Sequence, residues 1–138
     1  MIAYVDSSVI LRLVLGQPDA LAEWPEMDRA VASELILVEC LRTADRLSHA
    51  ESISVEASVE LRRSIYGITD TLELVGLSRP VLARAGQPFS APLGTLDALH
   101  LATALLWSET LDTDLVMLTH DRALAAAAKA SGLEVLGA

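Results

Sequence analysis

Cysteine is almost missing from this chain: Cys40 is the single thiol, so no internal disulfide can form, which suits a reducing compartment. Long apolar runs are missing too. The densest, Ala98 to Trp107, is interrupted by His100 and Thr103 and falls far short of the ~20 residues that cross a bilayer. No basic start leads into an apolar segment and a small-residue cleavage site, so a cytoplasmic protein without membrane association is expected. Repeats, low-complexity tracts and Gly/Ser/Pro linkers are lacking as well. At 138 residues the chain has the length of one ordinary domain, and a single domain over residues 1–138 is expected. Positive charge is scarce: 10 Lys and Arg face 19 Asp and Glu, a formal net charge of −9. That balance argues against nucleic acid as a partner, because non-specific affinity comes from cationic side chains neutralising phosphates. The objection weakens if carboxylates converge on divalent cations, which invert the local charge.

Apolar material, by contrast, is plentiful, at 52% of residues with a mean hydropathy of +0.43, enough for a sizeable core. Ile2 to Val5 reads as a buried strand by its β-branched and aromatic content. Ser7 or Ser8 then caps a helix to about Val14, ended by Gly16. Pro18 begins a helix from Asp19 to about Arg29. Ala30 to Ala32 is a short strand, Ser33 caps a helix from Glu34 to about Ser48, and a further helix fits Ser54 to Tyr66, closed by Gly67. Thr71 to Val75 is a strand, and Ser78-Arg79-Pro80 starts a helix ending near Gly86. After a turn-rich loop to Gly94, Thr95 caps a very apolar helix to about Trp107. Leu115 to Leu118, Asp121 to Ser131 and Leu133 to Leu136 complete a strand, a helix and a strand. Such alternation implies a parallel sheet covered on both faces, with sites outside the carboxyl ends of its strands.

Why should the first strand, which enters the core, end on the charge of Asp6? Capping of the following helix is one answer. Glu39, in LILVECLRTADR, shares a helical stripe with Leu35, Arg42, Thr43 and Arg46, as on a solvated face. Asp97, in GTLDALHLATALLW, lies in the first turn of its helix, where the dipole favours an acid. Asp121, in VMLTHDRAL, suits an N-cap, with Thr119 in reach of its carboxylate; Asp114 is a loop residue and a weaker candidate. His100 and His120 lack zinc spacing and read as packing or surface histidines. Taken together, Asp6, Glu39, Asp97 and Asp121 come from four elements, two of them at strand carboxyl ends. Four gathered carboxylates repel one another strongly without cations. Mg²⁺ or Mn²⁺ takes such oxygen ligands and shares phosphate oxygens, as in metal-assisted phosphodiester hydrolysis.

The segments YVDSS, SELILVECLR, LDALHLATAL and VMLTHDRALAAAAKASGLEV, in that order, resemble the PIN domain, and more closely the VapC toxins of bacterial toxin–antitoxin pairs. Residues 50 to 90 carry little of that signature. The resemblance implies a three-layer α/β/α fold with a central, mostly parallel sheet of about four to five strands. It implies a Mg²⁺- or Mn²⁺-dependent endoribonuclease acting on structured RNA such as tRNA or rRNA, restrained by a cognate VapB-like antitoxin and commonly dimeric. Asp6, Glu39, Asp97 and Asp121 fall on the acidic positions, while Ser8 and Thr119 fall on hydroxyls that orient the site. With so few cations, RNA contacts are expected from Arg42, Arg46 and Arg122. Three rivals are a phosphate-switch domain, a phosphatase-like α/β domain and a degenerate PIN module that only binds. The first wants an acid pair after strand one and a late Lys, but Asp6 is followed by serines and Lys129 lies in a helix. The second wants an Asp where Ser8 stands.

Overall fold

The computed structural model describes residues 1–21 and 26–138. Among the described residues the elements are β1 (Ile2–Val5), α1 (Ser7–Val14), β2 (Arg29–Ser33), α2 (Leu35–Glu51), α3 (Val55–Thr69), β3 (Glu73–Val75), α4 (Arg79–Ala85), α5 (Thr95–Leu111), β4 (Val116–Leu118), α6 (Arg122–Ala130) and β5 (Glu134–Leu136). All four strand pairings are parallel, giving a five-stranded sheet in the order β3-β2-β1-β4-β5. The three-layer α/β/α architecture with a parallel sheet is as the alternation requires.

The pleat sends successive residues to opposite faces. Ala3 and Val5 of β1, with Val116 and Leu118 of β4, join Val9, Ile10, Ile36, Cys40 and Ile65 in one core, under α1, α2 and α3. Tyr4 and Met117 point the other way, into a core with Leu101, Ala104, Leu124 and Ala128 of α5 and α6. Strands buried on both faces are apolar throughout, which explains the unbroken run at the amino terminus. Burial also pushes the Cys40 thiol up to about 12, so it is an inert packing residue.

Several boundaries differ from expectation, each for a local reason. The helix expected over Asp19 to Arg29 lies partly outside the described residues; Asp19 has φ 62°, and Arg29 already belongs to β2. Helix α3 does not stop at Gly67 but continues to Thr69. Ile65 and Thr69 are buried there, and the Thr69 hydroxyl donates to the Ile65 carbonyl at 2.9 Å, so packing overrides a glycine penalty of ~1 kcal/mol. Helix α2 reaches Glu51 and α5 reaches Leu111, each ending on a left-handed residue, Ser52 or Asp112. Thr95 is the first residue of α5 rather than its cap, which is Gly94. Asp6, not Ser7 or Ser8, caps α1. Strands β3, β4 and β5 lose a residue or two at their starts.

Candidate active site

The chain runs outward from β1 to β2 and β3 on one side, then returns to place β4 and β5 on the other. The order therefore reverses between β1 and β4, and a crevice opens outside the carboxyl ends of strands at such a point. Asp6 directly follows β1 and Thr119 directly follows β4. A cavity of about 480 Å³ lies there, lined by Asp6, Glu39, Asp97 and Asp121 with Ser7, Ser8 and Gly94 among its other walls. The fold thus brings all four acids to one place. Asp114 is elsewhere: it precedes β4 and lines a different pocket, with Met1 and Ile2, at the opposite end of the strands.

Asp6 is only 4% exposed, and its surroundings are built to hold a carboxylate. Its amide still donates to the Leu118 carbonyl of β4 at 3.0 Å, so the sheet fixes its backbone. Its Oδ2 accepts from the Ser8 hydroxyl at 2.7 Å and from the Thr119 hydroxyl at 2.9 Å. Each hydroxyl is itself oriented by an amide: His120 N donates to Ser8 Oγ at 2.9 Å, and Asp121 N to Thr119 Oγ1 at 3.0 Å. Ser8 and Thr119 both bond the Asp6 carboxylate, and Thr119 does so instead of bonding the Asp121 carboxylate. The chain also packs tightly behind Thr119, since a Cβ on Gly137 (φ 103°) would lie 2.5 Å from the Thr119 carbonyl oxygen.

The other acids enter from the helices. Asp121 caps α6 by accepting from Leu124 N at 2.9 Å through Oδ1, so capping and cavity lining coexist. Asp97, in the first turn of α5, has its carboxyl pushed up to about 6, first by burial and then by the charges of Asp121, Asp6 and Glu39, against the opposing effect of His100. Unrelieved repulsion of this kind marks acids assembled for something other than one another.

His100 is the residue the sequence undervalued. It is a packing histidine, fully buried, but it packs into the acids. Its Nε2 lies 2.5 Å from Glu39 Oε1 and 3.8 Å from Asp6 Oδ1, and its Nδ1 lies 2.7 Å from the Tyr4 hydroxyl. Ser33 N donates to the Tyr4 oxygen at 3.1 Å, so the phenol is fixed from the backbone while its hydroxyl pairs with Nδ1, and Nε2 pairs with Glu39. Burial, countered by the Ser33 bond and reinforced by Asp6 and Glu39, keeps that phenol protonated well above the ordinary range. Burial opposes a charged His100, but the bond and charge of Glu39, with Asp6 and Asp97, outweigh it and raise its pKa. The available signal was spacing: His100 stands one turn beyond Asp97 on the same helix. His120 keeps Nδ1 2.9 Å from the Gly137 carbonyl, at the sheet edge.

Of the expected RNA contacts, Arg42 and Arg46 line a groove with Glu39, Ser7 and Leu96 that adjoins the cavity. Arg42 meets Asp45 at 2.9 Å and Arg46 meets Thr43 Oγ1 at 3.1 Å, so neither pairs with Glu39. Arg122 is exposed in the first turn of α6 and does not line the cavity, nor does the exposed Lys129.

Residues 3–130 match the PIN domain family. Over 137 residues, 96% of this chain and 95% of its relative, the sequence is 35% identical to Ribonuclease VapC46 of Mycobacterium tuberculosis. Among solved structures, FitAB bound to an IR36 DNA fragment is similar with a TM-score of 0.75 at 18% identity, covering 99% of this chain and 94% of that one. FitAcB from Neisseria gonorrhoeae is similar with a TM-score of 0.69 at 19% identity, covering 98% and 96%. No helix among the described residues is long and apolar enough to cross a membrane.

Proposed function

This chain belongs to the PIN-domain family, as a VapC-type member, and we propose that it is a toxin endoribonuclease that hydrolyses structured RNA, such as tRNA or rRNA, with Mg²⁺ or Mn²⁺. A cognate VapB-like antitoxin as its restraint, a homodimeric assembly and a single domain over residues 1–138 belong to the same reading. The observation that carries it is the meeting of Asp6, Glu39, Asp97 and Asp121, from four elements, around one cavity at the strand-order reversal. The name of the relative, a ribonuclease, supports RNA as the substrate.

The donor set fits a hard divalent cation. Every candidate ligand is a carboxylate oxygen, and the raised Asp97 carboxyl is what an opposing charge relieves. Among the described residues no three His, Cys, Asp or Glu side chains stand at metal-ligand spacing. The acids are walls, not a closed cage. That suits an ion that takes one or two carboxylates and keeps several waters, and it does not suit a dehydrated structural zinc site.

When bound, the cation lowers the pKa of water and stabilises charge developing on the phosphodiester. The protein's own groups do the rest. Asp6 and Asp97 would be the principal ligands, and Ser8 and Thr119 hold Asp6 by Oδ2. Glu39 would complete the site or orient a water. Asp121, whose Oδ1 is engaged at the α6 cap, would support the same or a second ion. Arg42 and Arg46 receive RNA phosphates along the adjoining groove, which offsets the chain's acidity locally; Arg122 extends that contact at the start of α6. No serine or cysteine nucleophile is required. Purified protein incubated with total RNA is expected to cleave it with Mg²⁺ or Mn²⁺, to stop with EDTA, and to be inactive as Asp6→Asn. Cleavage that survives chelation contradicts the reading.

A further inference from the structure

Glu39 lies in mid-α2, and its own helix does nothing for it: Arg42 turns to Asp45 and Arg46 to Thr43. Among the described residues its one hydrogen-bond partner comes from the opposite layer, His100 of α5, at 2.5 Å. His100 in turn is clamped. Its ring is fully buried, meets Tyr4 edge-on with centroids 5.9 Å apart, and is bonded by the Tyr4 hydroxyl at 2.7 Å. The Tyr4 oxygen is fixed by the amide of Ser33, whose own hydroxyl accepts from Leu35 N at the start of α2. The bonds therefore close a circuit from β1 to the end of β2, along α2 to Glu39, across to α5 and back to β1. A buried position that needed only volume would take an apolar side chain; here both ring nitrogens have hydrogen-bond partners.

We infer that His100, anchored by Tyr4, is a positioning residue for Glu39: it holds Oε1 so that the remaining oxygen is presented to the cavity in a fixed orientation. The inference rests on the cation-dependent reading above, because presentation matters only if a cation or its water is the recipient. Carboxylate ligands are commonly oriented by such outer hydrogen bonds, whose loss costs about 10–100-fold in metal affinity or activity.

Two truncations of the ring separate its two bonds. His100→Gln keeps an amide nitrogen near the place of Nε2, facing Glu39; His100→Asn keeps a polar atom near the place of Nδ1, facing Tyr4, and cannot reach Glu39. Mn²⁺ affinity of the purified, folded proteins is measured by calorimetry, with thermal melts alongside. His100→Asn is expected to weaken Mn²⁺ about 10–100-fold and His100→Gln to restore most of that loss. In a Glu39→Gln background, His100→Asn should add less than about twofold, since the histidine acts only through Glu39. In turnover assays the loss should fall on kcat, with KM for RNA held. Equal affinities for the two His100 variants, or an undiminished His100→Asn loss in the Glu39→Gln background, overturns the inference. If His100→Asn does not melt cooperatively, Tyr4→Phe decides: weakened Mn²⁺ binding supports the anchored pair, and unchanged binding overturns it. Wild type that binds no Mn²⁺ defeats the cation reading itself; wild type that binds while His100→Asn matches it defeats only the positioning role.

Discussion

Replacing Asp97 by Asn should make the metal-free protein more stable while abolishing its activity. The Asp97 carboxyl is raised from its ordinary 3.8 to about 6, by burial and by its acidic neighbours. A group that holds its proton more tightly in the folded state than in the unfolded one favours folding at low pH. That stability is fully present below about pH 4 and is lost as pH rises through about 6. At about 1.36 kcal/mol per pH unit the cost of ionising Asp97 at neutral pH approaches ~3 kcal/mol. Asp97 is only half buried, so screening by solvent reduces this to roughly 1–2 kcal/mol. The substitution also removes an acid from the first turn of α5, a loss of ~0.5 kcal/mol. The expected net gain for Asp97→Asn is about 1 kcal/mol at pH 7.5, a rise in Tm of about 3–6 °C for a chain of this size. Urea unfolding in EDTA at pH 7.5 and pH 5 measures it: the variant should lead at pH 7.5, the gap should fall to about half at pH 5, where the unfolded wild-type carboxyl is still ionised, and it should close only below about pH 4. Added Mn²⁺ should then stabilise wild type by about 1.4 kcal/mol per tenfold excess over Kd and leave the variant nearly unmoved. A variant no more stable than wild type at pH 7.5 in EDTA refutes the electrostatic account.

Further outcomes follow from other parts of the site. Asp6→Asn should lose RNA cleavage while retaining a cooperative melt, because the Ser8 and Thr119 hydroxyls can still bond its carbonyl oxygen; gel assays and calorimetry check both halves. Thr119→Ala removes a donor to Asp6 and strands the half-buried Asp121 amide. It should lower stability by about 1–2 kcal/mol and Mn²⁺ affinity by about 10–100-fold, read by melts and titration. Arg42→Ala and Arg46→Ala should raise KM for RNA with kcat held and each reduce the salt slope of binding by about 1, in a filter-binding series over ionic strength.

Much of this was legible from patterning alone. Apolar strands alternating with helices gave the parallel sheet, and Asp6 at the end of β1 pointed to the rim because a charge cannot follow such a strand inward. What pattern could not convey was which bonds the acids make. Asp6 could cap α1 or line a site, and in the fold it caps α1 and lines the cavity: its Oδ2 takes the Ser8 and Thr119 hydroxyls, while Oδ1 faces His100 Nε2 at 3.8 Å. Glu39 resembled a surface residue because its helical stripe carries arginines, yet its partner lies 61 residues away on the other side of the sheet. His100 was missed for the same reason, since a lone histidine in an apolar helix gives no sign of a carboxylate brought to it by tertiary structure. The overrun of α3 past Gly67 is the same lesson at helix scale, with burial of Thr69 outweighing a local stop signal.

The central claim is that the fold gathers these acids to hold a divalent cation. The most direct measurement is anomalous diffraction from crystals of the wild-type protein soaked in Mn²⁺. The expected result is a manganese peak in the cavity against Asp6 and Asp97, absent from Asp6→Asn crystals. A cavity without manganese in crystals of protein that still cleaves RNA contradicts the claim.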